Sequence, residues 1–128
     1  MYIDRGVSTG TLTFENVTFS ENYCYTGCAF NIDTGNRGII FRNSHFLNNV
    51  ALEDSSIANV INSKCKVKSE DCEPTSMIIE SCLFIGNHAI NNRAGLFFVF
   101  HSGYELEVNN STFKDNYIEN NKLEKGVL

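Results

Sequence analysis

At 128 residues, 42% of them hydrophobic, and with a formal net charge of −5, the chain is long enough for one domain and carries no basic footprint for nucleic acid. No apolar run approaches the roughly 20 residues that cross a bilayer, and the start MYIDRGVSTG has neither the basic region nor the apolar core of a signal peptide. The chain thus reads as cytosolic or as an internal piece of a longer precursor.

Tryptophan is absent and Pro74 is the only proline, in a chain rich in Asn, Phe, Ile, Ser and Thr; that balance favours strands and turns. The first patterned stretch, LTFENVTFSENYC from Leu12, holds apolar Leu12, Phe14, Val17 and Phe19 on either side of Asn16. Two short strands of period two, bent at an asparagine, account for it. CAFNI at 28–32 supplies a third strand. The pattern returns as IIFRNSHFLNNVA from Ile39, followed by SIANVI at 56–61. Next comes a polar insert, about residues 62–76, containing NSKCKVKSEDCEPTS. The third and fourth copies are MIIESCLFIGNHA from Met77, followed by LFFVF at 96–100, and LEVNNSTFKDNYI from Leu106, with GVL at the end.

The four copies begin 27, 38 and 29 residues apart, a near-regular period that marks a solenoid whose one long unit carries the insert. Three strands per unit predict an all-β chain: a right-handed parallel β-helix solenoid of about four coils, with 1–128 a single segment of a longer solenoid. Equivalent residues then stack into ladders, which give a core that no coil could bury alone. Phe19, Phe46, Phe84 and Phe113 are expected to form an internal aromatic stack. Asn16, Asn43 and Asn110, with Ser81, take the first corner, where an asparagine tolerates a left-handed backbone and can bond to neighbours above and below. Asn22, Asn49, Asn87 and Asn116 form a second ladder at the next corner, followed by Cys24, Ala51, Ala89 and Ile118.

The spacing Phe14-x-x-Val17-x-Phe19-x-x-Asn22 also satisfies a leucine-rich repeat. Two features count against that fold: Ser44 and Ser111 fill the second apolar slot, and LFFVF replaces the helix such a repeat needs. The four F-x-x-N tetrapeptides, with TGCAF at 26–30 and RAGLF at 93–97 where a G-G-A-[ILV] motif would stand, resemble the repeats of the polymorphic outer membrane proteins of chlamydiae. Similar repeats occur in pectin-lyase-like surface proteins of protists. The resemblance covers about Leu12 to Asn116. It implies a cell-surface or secreted β-helix used for adhesion or as a scaffold.

Insertions in solenoids lie in loops on one face, often the binding face. Cys65 and Cys72 bracket this insert and would staple it in an oxidising compartment; in a reducing one they are free thiols. Cys82 takes an inward slot as a small hydrophobe, and Cys24 and Cys28 either pair or leave Cys24 in the interior ladder. Neither spacing nor histidine partners suggest a zinc site, and no cofactor is expected. The sequons at Asn16, Asn109 and Asn110 coincide with or adjoin a corner that requires asparagine for the coil's own reasons.

β-Helix enzymes that cleave acidic polysaccharides gather carboxylates, or carboxylates with calcium and an arginine base, on adjacent coils. The comparable outward positions, Asn31, Asp33 and Asn59, offer one carboxylate. Glu53 and Asp54 lie in a corner, and Glu70, Asp71 and Glu73 lie beside Lys64, Lys66 and Lys68 in the insert, which reads as a solvated loop. His45, His88 and His101 occupy different slots and read as surface residues. The expectation is a non-catalytic extracellular or cell-surface segment that displays loops, with a polysaccharide-binding or polysaccharide-cleaving protein as the alternative. Expected partners are neighbouring coils of a longer chain, further copies meeting through open ends, or a host protein or glycan. Tyr23, Tyr25 and Tyr117 offer sugar-stacking faces or, more simply, rim packing.

Overall fold

The computed structural model describes residues 2–3, 10–26, 28–33, 38–53, 57–61, 75–90, 96–100 and 104–119. Among them every regular element is a β-strand. In chain order these are β1 (Tyr2–Ile3), β2 (Thr11–Glu15), β3 (Thr18–Ser20), β4 (Tyr23–Cys24), β5 (Phe30–Asp33), β6 (Gly38–Arg42), β7 (His45–Leu47) and β8 (Val50–Ala51). There follow β9 (Ala58–Ile61), β10 (Thr75–Glu80), β11 (Leu83–Ile85), β12 (His88–Ile90), β13 (Phe97–Phe100), β14 (Tyr104–Asn109), β15 (Thr112–Lys114) and β16 (Tyr117–Glu119). They form four four-stranded sheets, ordered β2-β6-β10-β14, β3-β7-β11-β15, β4-β8-β12-β16 and β1-β5-β9-β13. Each pairing is parallel and joins a strand to its equivalent in the adjoining repeat, so the chain is a β-helix-like solenoid.

Register turns the sequence repeat into columns of like residues. Phe19, Phe46, Phe84 and Phe113 stand in one column, their rings 5.7, 4.8 and 4.6 Å apart and within 8° of parallel. A second column runs Leu12, Ile39, Met77, Leu106, and a third runs Phe14, Phe41, Ile79, Val108. Phe30 closes the core from the opposite wall, 4.3 Å from the Phe14 ring and 4.6 Å from that of Phe19. Strand alternation sends these residues inward and Thr, Glu, Arg and Asn outward, the period-two pattern of a half-buried strand.

The repeat unit contains four strands, where the sequence suggests three. The additional one, β4 and its equivalents, follows the second asparagine and holds Cys24, Ala51, Ala89 and Ile118. At two or three residues it is too short to show alternation in sequence. Tyr2–Ile3 is also a strand, paired with Asn31 and Ile32. The polar insert is shorter than 62–76 at its far end, because Thr75 and Ser76 belong to β10 and pair with Tyr104 and Glu105. Cys65, Cys72, His101, Asp54 and the charged residues of the insert lie outside the described residues.

Both sharp corners use the left-handed backbone. At the first, Asn16, Asn43, Ser81 and Asn110 have φ of 55°, 48°, 53° and 46°. Their side chains are exposed, and the bond between coils comes from the main chain: Asn16 N–H donates to Arg42 O, Asn43 N–H to Glu80 O, and Ser81 N–H to Asn109 O. Asparagine is therefore favoured at this corner for its tolerance of positive φ. At the second corner the left-handed residue precedes the repeated asparagine: Glu21, Asn48, Gly86 and Asp115, with φ of 54°, 51°, 65° and 54°. Gly86 is the one glycine of this set, and a Cβ there would run into the Asn48 side-chain oxygen.

Candidate functional site

The turn at the second corner rotates Asn22, Asn49, Asn87 and Asn116 inward. Asn49 and Asn87 are fully buried, so every amide proton and oxygen needs a partner. Asn22 Nδ2 donates to Asn49 Oδ1 at 2.8 Å, Asn49 Nδ2 to Asn87 Oδ1 at 2.9 Å, and Asn87 Nδ2 to Asn116 Oδ1 at 2.9 Å. Each Oδ1 also accepts the main-chain N–H of the asparagine one coil earlier, at 3.2, 3.1 and 3.0 Å. The second Nδ2 proton reaches back to a phenylalanine carbonyl: Asn49 to Phe19 O, Asn87 to Phe46 O and Asn116 to Phe84 O. The ladder is completely satisfied at its centre, and all its Nδ2-to-Oδ1 bonds point one way.

A second internal polar column occupies the slot of Val17. Ser44 donates to Arg42 O at 2.7 Å, Ser111 to Asn109 O at 2.9 Å, and the Cys82 thiol to Glu80 O at 3.3 Å. The serine oxygens also accept the N–H of the preceding coil, Val17 to Ser44 at 3.3 Å and Cys82 to Ser111 at 3.1 Å. Each side chain thus gives a second hydrogen bond to a corner carbonyl two residues back that already accepts a main-chain N–H from the preceding coil. Cys82 is a free, buried thiol, and its burial pushes the pKa up. Cys24 and Cys28 are joined in a disulfide with Cα atoms 5.2 Å apart, which ties β4 to the approach of β5.

Outside the core, the first sheet carries a charged column distinct from the strand positions of Asn31, Asp33 and Asn59. Glu15, Arg42, Glu80 and Asn109 are register partners on successive coils. Arg42 Nε donates to Glu80 Oε2 at 2.7 Å, with both side chains about 40% exposed. That bond and the Glu80 charge, with a smaller contribution from Glu15, push the Arg42 pKa above its ordinary value against a small opposing effect of burial. Such an arginine is a fixed cation, not a base. The signal was present in sequence as the fourth letter of each aligned copy, E, R, E and N.

Asn31 and Asn59 are register partners in β5 and β9, followed on β13 by Phe98. Glu53 is exposed just beyond β8. His45 is exposed on β7, whereas His88 is largely covered, its side chain 13% exposed. The His88 ring stacks 3.9 Å from Tyr117, and its Nε2 lies 3.4 Å from Glu119 Oε2, in ion-pair range but without hydrogen-bond geometry. Tyr23, Val50, His88 and Tyr117 form one outward column of the third sheet, and Tyr23, Tyr25 and Tyr117 are 70%, 62% and 56% exposed. Among the described residues no three His, Cys, Asp or Glu side chains converge as a metal site, and no helix is long and apolar enough to cross a membrane.

Comparison with protein-family models, with curated proteins and with solved structures finds no match.

Proposed function

We propose that the chain is a non-catalytic segment of a cell-surface or secreted β-helix, a right-handed stack of about four coils that serves adhesion or scaffolding and displays its loops. The observation that carries this reading is the use of polar chemistry. The asparagine and serine ladders spend their hydrogen bonds inside, holding coil to coil. On the first sheet, Glu15 and Glu80 are separated by Arg42, which is bound to Glu80. Such a column lacks a free pair of carboxylates and a neutral base. The right hand is supported by the strong preference of parallel crossovers for it. The Cys24–Cys28 disulfide supports an oxidising compartment.

A second reading, polysaccharide binding, is supported by the exposed tyrosines of the third sheet, which present flat faces beside the coil. A glycan array run beside a turnover assay on polygalacturonate separates the alternatives. Neither binding nor turnover is expected for a protein adhesin or scaffold. Binding alone would replace that reading with a lectin, and turnover would replace it with an enzyme.

A further inference from the structure

The first corner demands less of the sequence than its asparagines suggest. Asn16, Asn43, Ser81 and Asn110 supply a residue that tolerates positive φ, and Val17, Ser44, Cys82 and Ser111 supply a compact side chain for the inward slot. The next position opens the second sheet as Thr18, His45, Leu83 and Thr112, register partners whose side chains face outward. A coil that accepts histidine and leucine there does not require threonine. The two threonines nevertheless both follow a corner asparagine, completing Asn16-Val17-Thr18 and Asn110-Ser111-Thr112, each of the form Asn-x-Thr.

The amides of these corner asparagines do no work in holding the coils together. The bond between coils at Asn16 is made by its main-chain N–H, and among the described residues no hydrogen bond engages the side chain of Asn16 or of Asn110. Both side chains are exposed, as are Thr18 and Thr112. That exposure belongs to the corner and not to a place in the stack, because Asn43 and Ser81 in the central coils are exposed as well. Asn109, which begins the overlapping Asn109-Asn110-Ser111, is different. Its Nδ2 donates to Glu107 Oε1 at 2.7 Å. The hydroxyl of Ser111 faces inward, donating to Asn109 O and accepting the Cys82 N–H.

We propose that Asn16 and Asn110 are N-glycosylated and that Asn109 is not. An Asn-x-Thr whose amide and hydroxyl both reach solvent leaves room for a bulky sugar on the finished fold. The donor is an oligosaccharide carried on a lipid diphosphate. The bond from Nδ2 to the sugar C1 forms, the C1–O bond to the diphosphate breaks, Nδ2 loses a proton and the lipid diphosphate leaves. This inference rests on the extracellular reading, which the Cys24–Cys28 disulfide also supports. The two sites stand on one edge of the solenoid, three strand spacings or about 14 Å apart. Sugars there shield the edge between the first and second sheets, Asn43 and Ser81 included. Partners are left the third sheet, with Tyr23, Tyr25 and Tyr117.

The test begins with the chain isolated from its source cells and treated with a peptide N-glycosidase in heavy-oxygen water, which turns each glycosylated asparagine into a labelled aspartate. Peptide mass spectrometry, with intact glycopeptides read in parallel, is expected to find sugar at Asn16 and Asn110 and none at Asn109. Thr18→Val and Thr112→Val, made in the same cells, keep the corner asparagines and should each lose one glycan, whereas Thr18→Ser should retain both. Unmodified Asn16 and Asn110 in a chain whose Cys24–Cys28 bridge is intact would overturn the proposal and leave the extracellular reading standing. Unmodified asparagines together with free thiols at Cys24 and Cys28 would defeat both. Sugar on Asn109, in the wild type or in Thr112→Val, would overturn its exclusion.

Discussion

Asn49 donates its side-chain amide to Asn87 across 2.9 Å, with both residues fully buried between stacked coils. Asn87 in turn donates to Phe46 O and to Asn116 Oδ1, so one side chain connects three coils. Few sites among the described residues concentrate so many bonds that water cannot replace.

Removal of that amide is expected to be expensive. Asn87→Ala leaves the Asn49 N–H and Nδ2, and the Phe46 carbonyl, without their partners, and should destabilise the fold by on the order of 3 kcal/mol. Asn87→Asp keeps the acceptor but turns a donor into an oxygen facing Phe46 O and Asn116 Oδ1. Its folded-state pKa should rise above the unfolded value of about 3.9, because burial and facing oxygens favour the protonated acid. The folded state then binds more protons than the unfolded one, so stability falls as pH rises from the unfolded pKa through the folded one. Urea melts of wild type and Asn87→Asp across the acid range should show the gap widening with pH. A gap independent of pH would contradict the ladder.

The aromatic stack yields a graded expectation. Phe46 lies between Phe19 and Phe84 with no exposed surface, so Phe46→Ala should cost roughly 3 to 5 kcal/mol. Phe113 has the same register partner geometry but is 44% exposed, and Phe113→Ala should cost less than half as much. Reversible denaturant melts of the two variants provide the comparison. Equal losses would mean that the outer face is covered as fully as the centre.

The cysteines should divide by chemistry. Cys82 is buried, and its pKa is raised chiefly by desolvation, so an alkylating reagent should modify it only after unfolding, as site-resolved mass spectrometry would show. The Cys24–Cys28 bridge closes a short loop, and its reduction should lower stability by about 2 kcal/mol while leaving the β circular dichroism signature in place. Rapid native labelling at Cys82 would place that slot outside.

The exposed ion pair should matter little. Arg42→Gln removes the bond to Glu80 where both groups are partly solvated, and any loss in melting temperature should be small and vanish at high salt. A large, salt-independent loss would mean that the column is buried in the working protein.

Much of the fold was legible because a parallel solenoid stacks equivalent residues. A repeat of Phe-x-x-Asn must become a column of phenylalanines beside a column of asparagines once the register is set, so Phe46 above Phe19 and Asn49 above Asn22 follow from alignment of the copies. Local pattern also identified positive φ at Asn16, Asn43 and Asn110, since few residues other than glycine tolerate that region.

What the tertiary structure alone decided concerns groups whose partners lie a coil away or whose elements are too short for a pattern. The strand holding Cys24, Ala51 and Ala89 exists through parallel pairing, not propensity. The left-handed residue at the second corner is Glu21 or Asp115, not the repeated asparagine, because the chain must turn before Asn22 and Asn116 can point inward. Arg42 meets Glu80 only because β6 and β10 pair across 38 residues. The direction of the amide ladder is a fact of side-chain orientation, set when each Nδ2 gives one proton to a carbonyl behind and the other to an Oδ1 ahead. Repetition determines which residues share a column; packing and hydrogen-bond satisfaction determine what each of them does there.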